Sequence, residues 1–214
     1  MTQESLSHSW DDLLKNLNVR DWELGRKIFL ELVLAYSQAN RYYHTLNHIH
    51  SVLSVIQPVI DSIKRPEHLL LGIWFHDTIY EPKRNDNEEQ SAIYAELSLD
   101  RLAINSSTIA AVKQLILSTK HHYPLVNHLN SWLFLDSDLS ILGASNDDYQ
   151  QYAKNIRLEY IFLSDREYRR GRIQILQQFL ARKRIYYSDY FFCKLESQAR
   201  INLQTEIDRL LIDR

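Results

Sequence analysis

The sequence predicts an all-α protein folded as a single compact helical bundle. Three observations lead there. Only 4 Gly and 4 Pro fall in 214 residues, which leaves little room for turn-rich architecture. Apolar residues recur three and four apart in one segment after another. No run alternates with the two-residue period of a half-buried strand. The length suits one domain, 1–214, with a core over about 42–145 and C-terminal helices over 146–214 packed on it.

The elements follow in order. Trp10, Leu13, Leu14 and Leu17 form a helix stripe after Ser9, a candidate N-cap. A second helix is expected over 21–38, burying Trp22, Ile28, Phe29, Leu32, Val33 and Tyr36 until Asn40-Arg41 breaks it. A third, over 43–56, carries His44, His48, Val52 and Val55 on one side, with Pro58 at its end. Pro66 suits the first turn of a helix over 66–77. Residues 80–87 read as a polar loop, and Asp86-Asn87-Glu88-Glu89 as an N-cap with an acidic first turn. That helix runs over 88–102. The next, capped by Ser106 or Ser107, ends near His121-His122-Tyr123-Pro124. Another spans 133–142 and stops at Gly143. Tyr149, Tyr152, Ile156 and Tyr160 recur at helical spacing as core, and two last helices cover 166–181 and 190–212.

Charge narrows the partners. With 25 basic and 27 acidic side chains the net charge is -2, so neither a nucleic-acid polymer nor an anionic membrane is expected. One cysteine, Cys193, excludes an internal disulfide framework and a Cys-rich zinc site, and fits a reducing, cytoplasmic location. The N-terminus lacks a basic start followed by an apolar run, so no signal peptide is expected, and no segment approaches membrane-spanning length.

The 9 histidines are uneven: eight lie between His44 and His128. His76-Asp77 ends the apolar run Leu69-Leu70-Leu71-Gly72-Ile73-Trp74-Phe75, and a core does not take an uncompensated Asp cheaply. On the expected helix over 43–56, His44 and His48 share a face. Asp136 and Asp138 interrupt another apolar helix, and His121-His122 end a third. Nitrogen and oxygen donors without sulfur suit a divalent Mn, Mg, Ni, Co, Fe or Zn ion. Such an ion activates water and polarises a phosphoryl oxygen.

The ordered set His … His-Asp … Asp resembles the HD-domain superfamily of metal-dependent phosphohydrolases. Tyr43-His44-Thr45-Leu46-Asn47-His48 is similar to a stretch of cyclic-nucleotide phosphodiesterases. By that resemblance His48 binds metal, His44 donates a proton, and His76 and Asp77 are the central pair. Ser137-Asp138-Leu139-Ser140 fits the small-Asp-Leu pattern, which favours Asp138 as the last ligand and leaves Asp136 as the alternative. The wider frame looks like a bacterial group of uncharacterised HD proteins. Its pieces here are Trp74-Phe75-His76-Asp77, Asp86-Asn87-Glu88-Glu89-Gln90-Ser91-Ala92, Leu135-Asp136-Ser137-Asp138-Leu139, Ile156-Arg157-Leu158-Glu159-Tyr160, Gly171-Arg172 and Ala199-Arg200-Ile201-Asn202. Thr78-Ile79-Tyr80 stands where phosphodiesterases place another His for a second metal; His121 or His122 could supply a second-metal or phosphate contact, as in some other HD enzymes, and His122 is favoured. The resemblance implies a hydrolase acting on a small phosphoester or nucleotide through a metal-activated water, with His44 and Asp77 catalytic. The alternatives are a metal- or nucleotide-binding module without turnover and a di-iron oxygenase. Glu88 is either a solvated first-turn residue or part of the site's rim. Lys83, Arg84 and Lys120 are either mobile charges or phosphate-steering groups. For Arg157, Arg172 and Arg200 internal ion pairs are expected, for instance with Glu159.

Overall fold

The computed structural model describes residues 3–212, and these are all-α. In order they form α1 (Gln3–Asn16), α2 (Trp22–Tyr36), α3 (Leu46–Ile56), a 3₁₀ segment (Gln57–Ser62), α4 (Pro66–Phe75) and α5 (Asn87–Arg101). Then come α6 (Ser106–Ser118), α7 (Leu129–Asp138), a second 3₁₀ segment (Leu139–Gly143), α8 (Asn146–Glu159), α9 (Asp165–Leu180) and α10 (Asp189–Ile212). No helix among the described residues is long and apolar enough to cross a membrane. The chain divides into two compact units, Met1–Leu135 and Asp136–Arg214, and the division falls inside the single helix α7.

In the first unit the apolar run becomes the central helix. α4 has no polar stripe, so it must be covered on all sides, and α1, α3, α5 and α6 pack on it. Leu69, Leu71, Gly72, Ile73, Trp74 and Phe75 are all buried. Trp10 of α1 meets Trp74 edge-on, ring centres 5.5 Å apart, and donates its indole N–H to the Gly25 carbonyl at 3.0 Å. Gly72 permits close approach: a Cβ there would stand 3.1 Å from the Phe134 ring and 3.4 Å from Leu115. Tyr36 at the end of α2 donates to the Trp74 carbonyl at 3.0 Å. Burial pushes its phenol up to about 12, so it stays a donor. Trp22, expected on the buried face of α2, is instead 43 % exposed at the helix's first position, where Asp21 caps the Leu24 N–H.

The cap residues explain most of the other boundaries. Asn105, not Ser106 or Ser107, caps α6 by accepting from Thr108 N. Ser9 lies within α1 rather than before it. Ser164 opens α9 with a reciprocal capping box to Glu167. Asp86 stands at the cap position of α5 but spends its carboxylate on Arg84, at 2.7 and 2.8 Å, and on Gln90.

The second unit is held by buried polar groups. Arg172 of α9 forks onto both oxygens of Glu206 of α10 at 2.8 and 3.1 Å, and Tyr149 of α8 donates to the same carboxylate. Glu196 accepts from the backbone N–H groups of Ile185 and Tyr186 and from Arg200. Asn202 donates to the carbonyls of Leu142 and Ala144, tying α10 to the end of the 3₁₀ segment. Arg157 bonds the Asp165 carboxylate, and its fork also covers the Tyr160 and Leu163 carbonyls after α8. The Gly171-Arg172 and Ala199-Arg200-Ile201-Asn202 motifs therefore do structural work in this unit.

Candidate metal centre

The site begins where α4 ends. His76 is the C-cap: its backbone N–H bonds Gly72 O at 2.9 Å, and the chain then turns through Asp77 to Thr78. The His76 ring points back, with Nδ1 2.9 Å from the Ile73 carbonyl. A carbonyl only accepts, so Nδ1 carries the proton. In the neutral ring Nε2 is then an acceptor. It faces His48 Nε2 at 3.1 Å and Asp77 Oδ2 at 3.1 Å. His48 Nε2 is itself 3.8 Å from Asp77 Oδ2. In this buried pair the His76 lone pair is met either by a proton carried on His48 Nε2 or by a cation.

The distances suit a cation. Two imidazole nitrogens at about 2.1 Å from one ion stand roughly 3.0–3.4 Å apart, from octahedral to tetrahedral angles. The His48–His76 separation of 3.1 Å falls in that range. A ligand imidazole that gives its other N–H to a backbone carbonyl is the usual supporting arrangement, and His76 has it. Asp138, favoured in the sequence as the last ligand, is the final residue of α7. Asp77 presents a carboxylate oxygen to the two buried histidines.

His48 sits in the first turn of α3 and is buried, but His44 is not on that helix. Thr45 is extended, with φ -117° and ψ -179°, and its hydroxyl caps Asn47 N, so α3 begins only at Leu46. The expected shared helix face for His44 and His48 is thus corrected. His44 approaches from the turn before the cap, with Nε2 3.9 Å from Asp77 Oδ2. Its side chain and that of Asp77 are 18 % and 19 % exposed, which puts them at the mouth of the site while His48 and His76 form its floor. Tyr80 lies along the His44 ring with centres 4.1 Å apart, and Tyr43 stands edge-on to it.

Asp136, the alternative ligand, is engaged elsewhere. It is fully buried and accepts from Tyr187 N, Ser188 N and Ser188 Oγ at 2.8, 2.7 and 2.6 Å, holding the chain that enters α10. Burial pushes its carboxyl up to about 6 against the lowering effect of those bonds. Asp136→Ala strands two buried N–H groups and a hydroxyl, and is expected to lower the unfolding free energy by about 3 kcal/mol. A urea titration checks this, and a loss below about 1 kcal/mol contradicts the assignment.

The remaining candidates divide. Glu88 is half-buried; burial raises its carboxyl above the ordinary range, and the Asp77 charge adds to that. It therefore lies within electrostatic reach of the site. His122 occupies a left-handed position, φ 47°, in the turn after α6. Arg84 is paired with Asp86, while Lys120 bonds Asn85 O and Glu89. The loop carrying Arg84 is fixed by Asn87, which exchanges bonds with both backbone groups of Glu81, and by Ser91, which does the same with Ile79.

Sequence reasoning missed Arg41, whose guanidinium lies under the site and bonds the carbonyls of His44, Asp77 and Thr78. A single Arg after a helix break carries no signal that separates it from a surface residue.

Fold and site together define an all-α protein with a His/Asp group able to hold a metal ion. No family model, no curated protein and no solved structure matches the chain.

Proposed function

We propose that the protein is a metal-dependent phosphohydrolase of the HD type, acting on a small phosphoester or nucleotide. The observation that supports this most is the His76 tautomer: with Nδ1 given to the Ile73 carbonyl, its Nε2 acceptor meets His48 Nε2 and Asp77 Oδ2, each at 3.1 Å, as a ligand imidazole would. His48, His76, Asp77 and Asp138 would hold a divalent ion. When bound, that ion lowers the pKa of water and polarises a phosphoryl oxygen.

The chain's own groups supply the rest. His44 stands at the solvent-facing mouth, within 3.9 Å of Asp77, where a leaving oxygen would need a proton. Tyr80 and Tyr43 restrict its ring to that station. The net charge of -2 favours a small substrate over a polyanion. The one cysteine, exposed Cys193, fits the reducing cytoplasm as the place of action.

A panel of phosphorylated metabolites, each assayed with Mn, Mg, Ni, Co, Fe and Zn, tests the reading. Metal-dependent phosphate release supports it. Saturable binding without release replaces it with a binding module.

A further inference from the structure

We infer that Arg41 is a positioning residue that fixes the His44 imidazole relative to the Asp77 carboxylate, an assignment that rests on the hydrolase reading for its role in turnover. Arg41 follows α2, and its side chain is buried, 5 % exposed. One guanidinium nitrogen donates to the His44 carbonyl at 3.2 Å and to the Asp77 carbonyl at 2.6 Å; the other terminal nitrogen donates to the Thr78 carbonyl at 2.8 Å. A single planar group thus bridges two chain segments 33 positions apart: the turn that carries His44 and the turn that carries Asp77. Neither turn is inside a helix, so neither position is set by a backbone ladder.

The same guanidinium lies over the Tyr36 ring at 5.2 Å and the Tyr80 ring at 5.5 Å. Tyr80 in turn lies along the His44 ring at 4.1 Å. Arg41 therefore reaches His44 twice, through its carbonyl and through the aromatic ring that bounds its imidazole. His48 and His76 are placed by α3 and by the end of α4. Losing Arg41 should displace the proton donor and leave the two imidazole ligands in place. Lysine cannot replace it fully, because one ammonium lacks the planar fork that serves separated carbonyls.

The test uses the full-length, metal-loaded protein with Arg41→Ala and Arg41→Lys, read in three ways. Metal content by mass spectrometry is expected to stay at the wild-type level in both. Turnover of glycerol 2-phosphate, whose alkoxide needs a proton to leave, is expected to fall about 10²-fold in Arg41→Ala. Turnover of 4-nitrophenyl phosphate, whose leaving group needs little help, is expected to fall far less, and Arg41→Lys should recover part of the loss. Crystal structures of both variants are expected to show the His44 imidazole displaced by about 1 Å or more with His48 and His76 unmoved. Equal losses on both substrates, or loss of metal with activity, overturn the inference in favour of a general structural role. If the wild type releases phosphate from neither probe, that counts against the hydrolase reading alone. The crystal structures then decide on Arg41: an unmoved His44 refutes the positioning role, and a displaced one sustains it.

Discussion

Asp77→Ala is expected to abolish phosphoester turnover, by about 10³-fold or more, and to strip the site of its ion. The carboxylate stands 3.1 Å from His76 Nε2 and 3.8 Å from His48 Nε2, so alanine removes the negative charge that offsets a cation there. It also removes the carboxylate that stands 3.9 Å from Nε2 of His44, the proposed proton donor. His44→Ala should behave differently. It takes away a group at the mouth and leaves His48 and His76 on the floor, so the ion stays while turnover falls by about 10²–10⁴-fold. Parallel measurement of metal content and phosphate release distinguishes these outcomes. Wild-type activity in Asp77→Ala ends the hydrolytic account.

The largest expected effect on stability lies in the other unit. Arg172 and Glu206 are each 7 % exposed and joined by two hydrogen bonds, with Tyr149 donating to the same carboxylate. Arg172→Met should cost about 3–5 kcal/mol, because it leaves a buried carboxylate without its countercharge. Glu206→Leu should cost a similar amount by stranding the guanidinium. The double variant is expected to be milder than either single one, since the desolvation of both charges is relieved together. Urea unfolding of the four proteins closes the cycle. Additive losses would show that the two side chains do not act as a pair.

Much of the fold was legible because helices write a 3.6-residue period into the chain. The run Leu69 to Phe75 has no polar face, and it became the helix that four others cover. The polar caps were harder. Apolar spacing carried the third helix back to Tyr43, yet Thr45, a strong capping residue, ends it before His44. The error mattered, because it placed the two histidines on one face when they reach the site from a turn and a helix. Asp136 and Asp138 lie two apart in one helix, and spacing alone could not choose between them. Asp136 is engaged by partners distant in sequence, at Tyr187 and Ser188, that no local pattern shows. Arg41 was invisible for the same reason: its meaning lies in carbonyls at Asp77 and Thr78, not in its neighbours.

The account stands or falls on whether His48, His76 and Asp77 hold a bound ion or only share protons. Elemental analysis by mass spectrometry of freshly purified wild-type protein, beside a His48→Ala/His76→Ala double variant, measures this directly. The account predicts a divalent ion bound stoichiometrically in the wild type and lost from the folded double variant. A folded wild type that is metal-free, and takes up none of Mn, Mg, Fe, Co, Ni or Zn on dialysis, contradicts it.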